Sequence, residues 1–397
     1  MPPDALGPPK VTVTHISSRP PTEGPDRSSP GRPGRSRRYH PAPIPGGQLP
    51  RARGPITRRL FDALRGAPRQ LGWTADADSA TPDDLHLALY CAYELHYRGL
   101  PGVHPDWEWE PSLLGAVRPL ERRLEAELRA AAGPVGTDPG AVAGELWRLA
   151  GADRGPSLSA WVAERATLVH VRELAVHRSA YQLKEADPHT WAIPRLPGPA
   201  KAVMVAIQAD EYGNGSGPQM HAALFADTMD SLGLDHSPHA YLDRLPAVTL
   251  ATTNVITLFG LHRRLRGALV GHLALFEMTS TGPMARYARG LERLGVPPSG
   301  RRFYDVHVQA DQVHQHLAVD GMVGGLLAHE PELAADVVFG ARALRTVEAE
   351  FSAHLLGCWN AGRTSLRPGD HRLDRGARPA GRPGPDGHRS ASDAVPR

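Results

Sequence analysis

The sequence predicts an all-α fold on three observations. Apolar residues recur at helical spacing in long segments, of which LAADVVFGARALRTVEAEFSAHLLGCW is the clearest. No segment of the ordered part alternates apolar and polar residues as a half-buried strand would. Breaks rich in glycine and proline, such as GPVGTDPG, separate the helical segments.

Composition divides the 397 residues into four segments. Residues 1–55 are rich in Pro, Gly, Ser and Arg without an apolar period, and they are predicted to be a disordered tail. Residues 56–160 are predicted to form an N-terminal helical unit, which packs on the main domain or on a second subunit in a homodimer. Residues 161–361 form the main helical domain, and residues 362–397 are predicted to be a second disordered tail.

Bulk properties narrow the classes of function. The formal net charge is only +3 and much of the arginine lies in the tails, which argues against nucleic acid as a partner. No apolar run is long enough to span a bilayer and no signal peptide is apparent, so we expect a cytoplasmic protein with no membrane partner. The two cysteines, Cys91 and Cys358, give neither a disulfide framework nor a zinc knuckle. Any metal must therefore be held by histidine and carboxylate side chains.

The N-terminal unit contains one strongly apolar helix. Asp83 or Asp84 can cap a helix that runs through LHLALYCAYELHYRGL. Near its end, Glu94 and Arg98 have the i, i+4 spacing of a helical ion pair.

The main domain opens with one long helix, predicted over residues 157–185. Within it Glu173, His177, Tyr181 and Glu185 recur every four residues and form a polar stripe on an otherwise apolar helix. If this stripe faces the interior of a bundle, its side chains need partners or a ligand. The same spacing also fits an ordinary solvated face.

Two further carboxylates stand in apolar surroundings. The segment AKAVMVAIQADEYGNGSGPQMHAALF predicts two helices joined by a glycine-rich bend, with Glu211 just before the bend and His221 near the start of the second helix. Because glycine frees the backbone, the bend can bring Glu211 and His221 together. Glu277 lies within the apolar run LALFEMTS, where a lone carboxylate needs a cation or a hydrogen-bond partner.

The segment FYDVHVQADQVHQH contains the most informative spacing. His307, Asp311 and His314 fall at i, i+4 and i+7, which places them within a narrow face of one helix at ~100° per residue. Asp305 and His316 fall on the opposite side and should face elsewhere. Two imidazoles and a carboxylate on one face are typical of a non-haem iron centre, although a hydrogen-bonded polar patch has the same pattern.

These segments together supply enough carboxylates and imidazoles for two iron ions, which need roughly six to eight protein ligands. Carboxylate and imidazole without thiolate suit Fe or Mn. The Glu-x-x-His motif of ferritin-type sites is missing. The candidate ligands are Glu185, Glu211, His221, Glu277, His307, Asp311 and His314.

Four blocks of the sequence resemble the haem-oxygenase-like diiron oxidases and oxygenases, in the actinobacterial branch of iron-containing redox enzymes. The blocks are HRSAYQLKEADPH, DEYGNGSGPQMHAALF, LHRRLRGALVGHLALFEMTS and FYDVHVQADQVH. The resemblance assigns the family's His-x3-Asp-x2-His motif to His307, Asp311 and His314. It assigns the family's other ligands to the remaining four candidates, which are Glu185, Glu211, His221 and, as an additional seventh ligand, Glu277.

The resemblance implies a helical bundle of about seven core helices that binds two Fe(II) ions, with Mn as an alternative, and uses O2 as co-substrate. It implies that the chain N-oxygenates or oxidatively cleaves a small amine, guanidine or amino acid, and that an external electron donor, a ferredoxin-like protein or a reductase, restores Fe(II). Residues 161–361 would be this diiron domain. Tyr181, Asp210 and Tyr304 are candidates to orient the imidazoles, and Glu185 or Glu211 would bridge the two ions.

Two other classes of function fit the sequence. One is a non-enzymatic iron-binding helical protein or scaffold that acts through its basic tails. The other is a cofactorless or haem-dependent enzyme on the same fold, and the carboxylates of the resemblance argue against haem.

Overall fold

The computed structural model describes residues 49–152 and 155–369, and within them it contains helices and no strand, as the sequence predicts. The α-helices are α1 (Pro55–Leu64), α2 (Pro82–Glu94), α3 (Pro111–Ala132), α4 (Val142–Gly151), α5 (Leu158–Arg165), α6 (Leu168–Gln182), α7 (Asp187–Thr190), α8 (Gly198–Glu211), α9 (His221–Ser231), α10 (Ala247–Leu261), α11 (Arg266–Arg293), α12 (Pro298–His316), α13 (Gly324–His329) and α14 (Ala334–Asn360).

Short irregular helices lie in the connections. A π-helical segment, Leu317–Val323, continues directly from α12. The 3₁₀ turns are Pro105–Trp107, Pro139–Ala141, Ile193–Arg195, Gly213–Gly215, Gly217–Gln219, Leu242–Arg244, Arg263–Leu265 and Pro331–Leu333. Among the helices of the described ranges, none is both long and apolar enough to cross a membrane.

The long helix predicted over residues 157–185 is wrong in two respects. The helix is interrupted at Ala166, whose backbone dihedral angles are not helical, and α6 begins after Thr167. Thr167 caps the new helix, and its backbone N–H donates to His170 Nδ1 at 3.0 Å. The helix also ends at Gln182, so Glu185 stands in the turn that follows it.

The N-terminal helices pack on the same core as the others. Helix α2 lies against α10, and α3 lies against α14. Glu94 is buried and pairs with Lys184, instead of forming the ion pair with Arg98 that its spacing suggests. The division into units at residue 160 stays a prediction. Most of the predicted tails lies outside the described residues, but Ser365 and Leu366, just after α14, are buried.

Helix α11 runs through the centre of the core, where it packs against α12 and α14. Two glycines allow the backbones of α11 and α14 to touch. A Cβ atom added to Gly271 would lie 1.8 Å from the carbonyl oxygen of Val337, and one added to Gly340 would lie 1.9 Å from that of Ala268. This close approach fixes the depth at which α11 carries Glu277 into the core.

A Gly271→Ala substitution is therefore expected to destabilise the protein by about 3 kcal/mol or more, because neither backbone can yield easily. The measurement is the free energy of unfolding in denaturant. Gly115→Ala is the matched control, since a Cβ atom at this exposed position of α3 would meet no atom within 4 Å. The control should gain about 0.5–1 kcal/mol of stability. Equal stability of the two variants would contradict the packing argument.

Candidate metal centre

The structure brings the seven candidate residues to one place in the core, and all seven are buried. They come from several elements. Glu185 lies in the turn after α6, Glu211 ends α8, and His221 begins α9. Glu277 lies on α11, and the three residues of the α12 motif project toward it. The two residues predicted to face away, Asp305 and His316, are exposed.

The glycine-rich bend does bring Glu211 and His221 together. Gly213 has a φ of +66°, and a Cβ atom there would lie 2.6 Å from the backbone carbon of Gln219. Only glycine fits this close return of the chain. As a result, Glu211 Oε2 lies 2.7 Å from His221 Nδ1.

The side chains form two groups with metal-binding spacing. Within each group, one potential ligand atom of every residue lies within 4.8 Å of the others. The first group holds Glu185, Glu211, His221 and His307, and the second holds Glu211, Glu277 and His314. Glu211 belongs to both groups, so between the two predicted bridging residues the geometry favours Glu211.

Asp311 stands beside the second group. Its Oδ2 atom accepts a hydrogen bond from Ser280 Oγ, and its Oδ1 atom lies 3.8 Å from His314 Nδ1. The predicted motif of α12 is therefore assembled on one face, as its spacing indicates.

Several polar atoms of this cluster have no hydrogen-bond partner within the described residues, although burial makes such atoms costly. They include both carboxylate oxygens of Glu185, Oδ1 of Asp311, and Nδ1 of His221 and of His314. The contact between His221 and Glu211 is short, but it lacks the geometry of a hydrogen bond. Lone pairs that converge on one space without bonding to each other fit a metal ion at that space.

The electrostatics of the cluster also favour cations. Burial, followed by repulsion from the neighbouring carboxylates, raises the pKa of Glu185 well above its usual value. Burial and then Glu277 raise the pKa of Asp311 to about 7. Burial alone would raise the pKa of Glu211 as well, but the adjacent His221 lowers it overall. Two divalent ions would balance the four carboxylates of the cluster and remove this repulsion.

Two of the imidazoles are oriented by hydrogen bonds from their other nitrogen. His307 Nδ1 donates to the carbonyl oxygen of Phe303 at 2.6 Å, which leaves Nε2 facing Glu185 Oε2 at 3.8 Å. His314 Nε2 donates to Asp210 Oδ2 at 3.0 Å, which leaves Nδ1 facing Glu277 Oε2 at 3.4 Å. Such outer contacts are usual for metal-bound histidines.

A family comparison agrees with this geometry. Residues 172–349, which include all seven candidates, match the family model described as an iron-containing redox enzyme. The match covers less than half of the chain. It contains the turn after α6, the glycine-rich bend and the α12 motif, and the resemblance read from the sequence is confirmed.

One curated relative of this chain is the nitrosourea synthase of Streptomyces achromogenes subsp. streptozoticus. It is 25% identical over 166 residues, which is 42% of this chain and 35% of the relative. The chain thus spans about a third of that protein, and most of the relative has no counterpart in the alignment.

The three residues predicted to orient the imidazoles have different surroundings. Asp210 contacts His314 as described above. Tyr181 lines the cavity beside the cluster. The ring of Tyr304 packs on Phe303 and Tyr287 and does not reach the cavity.

The rest of the predicted polar stripe on α6 serves the fold. Glu173 accepts hydrogen bonds from Trp359 Nε1 and from the backbone and hydroxyl of Ser365. His177 contacts Thr249 at 2.6 Å and Ser365 at 3.0 Å. These side chains are buried, so the alternative of a solvated face is wrong for them.

Sequence reasoning missed three polar side chains that line the cavity, His189, Gln208 and Ser280. Gln208 stands three residues before Glu211, so helical spacing places it on the same face. This spacing was the only sequence signal for Gln208. His189 had no such signal, because the helix on which it lies, α7, is too short to show a period.

An Asp210→Asn substitution is expected to weaken metal binding about 10- to 100-fold, because the amide is a poorer acceptor for the His314 N–H than the carboxylate. The carboxylate is about half exposed, so the fold should be unaffected. The measurement is an anaerobic Fe(II) titration of variant and wild type. Asp305→Asn, an exposed carboxylate on α12, is the control. If both variants bind iron as the wild type does, Asp210 does not support the site.

Proposed function

We propose that this chain is an O2-dependent non-haem diiron oxidoreductase, an oxygenase or oxidase that N-oxygenates or oxidatively cleaves a small amine, guanidine or amino acid. The observation that supports it is the pair of buried ligand groups that share Glu211. The shared carboxylate favours two ions over one, since it can bridge them.

The donor set supports iron as the metal. It consists of oxygen and imidazole nitrogen without thiolate, which suits Fe or Mn. Four carboxylates match the charge of two Fe(II) ions, and the cluster's buried atoms that lack hydrogen bonds, such as both carboxylate oxygens of Glu185, are atoms that iron would take as partners.

Oxidation of nitrogen is the favoured reaction. The Streptomyces relative is named for the synthesis of a nitrosourea, a compound whose nitrogen is oxidised. In an N-oxygenation, the nitrogen gains one oxygen atom from O2 and the other atom leaves as water. The external donor, a ferredoxin-like protein or a reductase, supplies the two electrons, and two protons come from solvent.

The protein's own residues would hold and orient the reactants. Bound iron would supply the site for O2 and the electrons of its first reduction. Glu185, Glu211 and Glu277 would compensate its charge, while Phe303 and Asp210 keep two imidazoles in the binding tautomer. Burial of the whole cluster excludes bulk water from the reaction.

The test is an anaerobic Fe(II) titration followed by mixing with O2. We expect two irons per chain. We also expect rapid consumption of O2 in an amount comparable to that of the bound iron. Purified protein that binds no iron above background, or that binds iron and leaves O2 unconsumed, would overturn the proposal. Consumption by a Glu211→Gln variant at the wild-type rate would also do so, because the reaction would then occur elsewhere.

A further inference from the structure

The cavity at the metal centre is lined by two kinds of side chain. Some are candidate ligands, among them Glu185, Glu211 and Asp311. The others have no ligand role, and among them are Tyr181, His189, Gln208, Leu273 and Phe276. The free space is about 10 Å³, roughly that of a single water-sized group.

Gln208 lines this cavity and carries an unpaired acceptor atom. Its amide nitrogen donates to the carbonyl oxygen of Ala186 at 2.8 Å and to Thr190 Oγ1 at 2.6 Å. A carbonyl oxygen can only accept, so the end of the amide that faces Ala186 must be the nitrogen. The other end is Oε1, which has no hydrogen-bond partner in the described residues, and Gln208 is only 2% exposed.

The partners that hold Gln208 are themselves fixed. Tyr212 donates its hydroxyl to Asp187 Oδ1 at 2.9 Å and contacts Thr190 Oγ1 at 2.8 Å. Ala186, whose carbonyl receives the amide, has a φ of 73°, a left-handed conformation that is strained for a residue with a side chain. The strained turn both follows Glu185 and orients Gln208, so it places the acceptor next to the metal ligands.

Because a buried amide oxygen without a partner is costly, its partner should be a group that enters the cavity. We propose that Gln208 Oε1 accepts a hydrogen bond from an N–H of the substrate's reacting nitrogen, and that the site therefore takes amines or guanidines that bear at least one N–H. This inference rests on the proposed function and specifies its substrate. A nitrogen held by its N–H turns its lone pair away from Gln208.

The test uses Co(II)-substituted protein without O2, whose visible ligand-field bands report a group that enters beside the metal. Methylammonium and methylguanidinium ions are titrated as probes with an N–H. Tetramethylammonium carries the same charge without an N–H. We expect the first two to perturb the bands of the wild type and the third to leave them unchanged.

Two variants then isolate Gln208. Gln208→Met should weaken the effect of the N–H probes about 10-fold or more while Co(II) stoichiometry stays unchanged. Gln182→Met is the matched control, because Gln182 is also buried with an unpartnered Oε1 atom but does not line the cavity. It should bind the probes like the wild type.

The outcomes separate this inference from the proposed function. If the protein takes up no metal, the proposed function itself is wrong. Normal metal uptake with equal probe affinity in Gln208→Met and wild type overturns only the role of Gln208. The same holds if no N–H probe perturbs the wild type, or if tetramethylammonium does so equally. If Gln208→Met fails to fold, the comparison of probes on the wild type still decides.

Discussion

Replacing Glu211 with glutamine is expected to abolish iron binding at both positions of the centre. Its carboxylate belongs to both ligand groups, whereas Glu185 belongs only to the first and Glu277 only to the second. A neutral amide removes the one negative charge that both positions share and is a poor ligand for iron. The loss of affinity should exceed the roughly 100-fold that outer contacts contribute, because Glu211 would touch the metal directly.

Glu185 and Glu277, which each belong to only one ligand group, provide the contrast. Glu185→Gln and Glu277→Gln should each lose one iron per chain and keep the other, as measured by anaerobic titration with iron analysis of the desalted protein. His316→Gln, an exposed residue of α12, is the control and should bind two. The shared role of Glu211 is disproved if Glu211→Gln retains one tightly bound iron, or if Glu185→Gln loses both.

The sequence predicts parts of this centre well and others poorly, for physical reasons. His307, Asp311 and His314 lie on one helix, where the period alone fixes which side chains share a face. The convergence of Glu211 and His221 follows from the glycines between them. Their assignment to two groups does not follow, since it depends on how α8, which packs against the π-helical segment Leu317–Val323 and α13, is placed relative to α11 and α12.

Local signals were too weak to predict the break between α5 and α6. The 157–185 segment has a continuous helical pattern, and only the extended backbone at Ala166 and the cap at Thr167 divide it. Gln208 is an example of the same limit. Its amide oxygen is left without a partner because its amide nitrogen donates to the carbonyl oxygen of Ala186. These two residues are 22 apart in the sequence, so the hydrogen bond produces no helical or strand period.

The metal-free protein is expected to lose stability as pH rises from about 6.5 to 8.5, and metal should remove this loss. Burial lowers the pKa of His314, but the carboxylates of Glu277 and Asp210 outweigh burial and raise it to about 9. A raised imidazole pKa stabilises the fold fully below the unfolded value of about 6.5, and this stability disappears as pH approaches 9. Asp311 and Glu185, whose pKa values are raised, act in the same direction, because the folded carboxyls retain protons that the unfolded chain releases.

His314 alone should account for roughly 2 kcal/mol between these two pH values. The measurement is the melting temperature of chelator-treated protein at pH 6.5 and 8.5, with and without Mn(II). Because metal binds the deprotonated ligands, Mn(II) should raise the melting temperature more at pH 8.5 than at 6.5. His314→Gln should weaken the pH dependence of the metal-free protein, and His316→Gln should keep it. Two results would contradict this prediction: equal melting temperatures of the metal-free protein at both pH values, or an equal rise in melting temperature with Mn(II) at both. Either would show that the buried carboxylates and imidazoles do not have the raised pKa values described here.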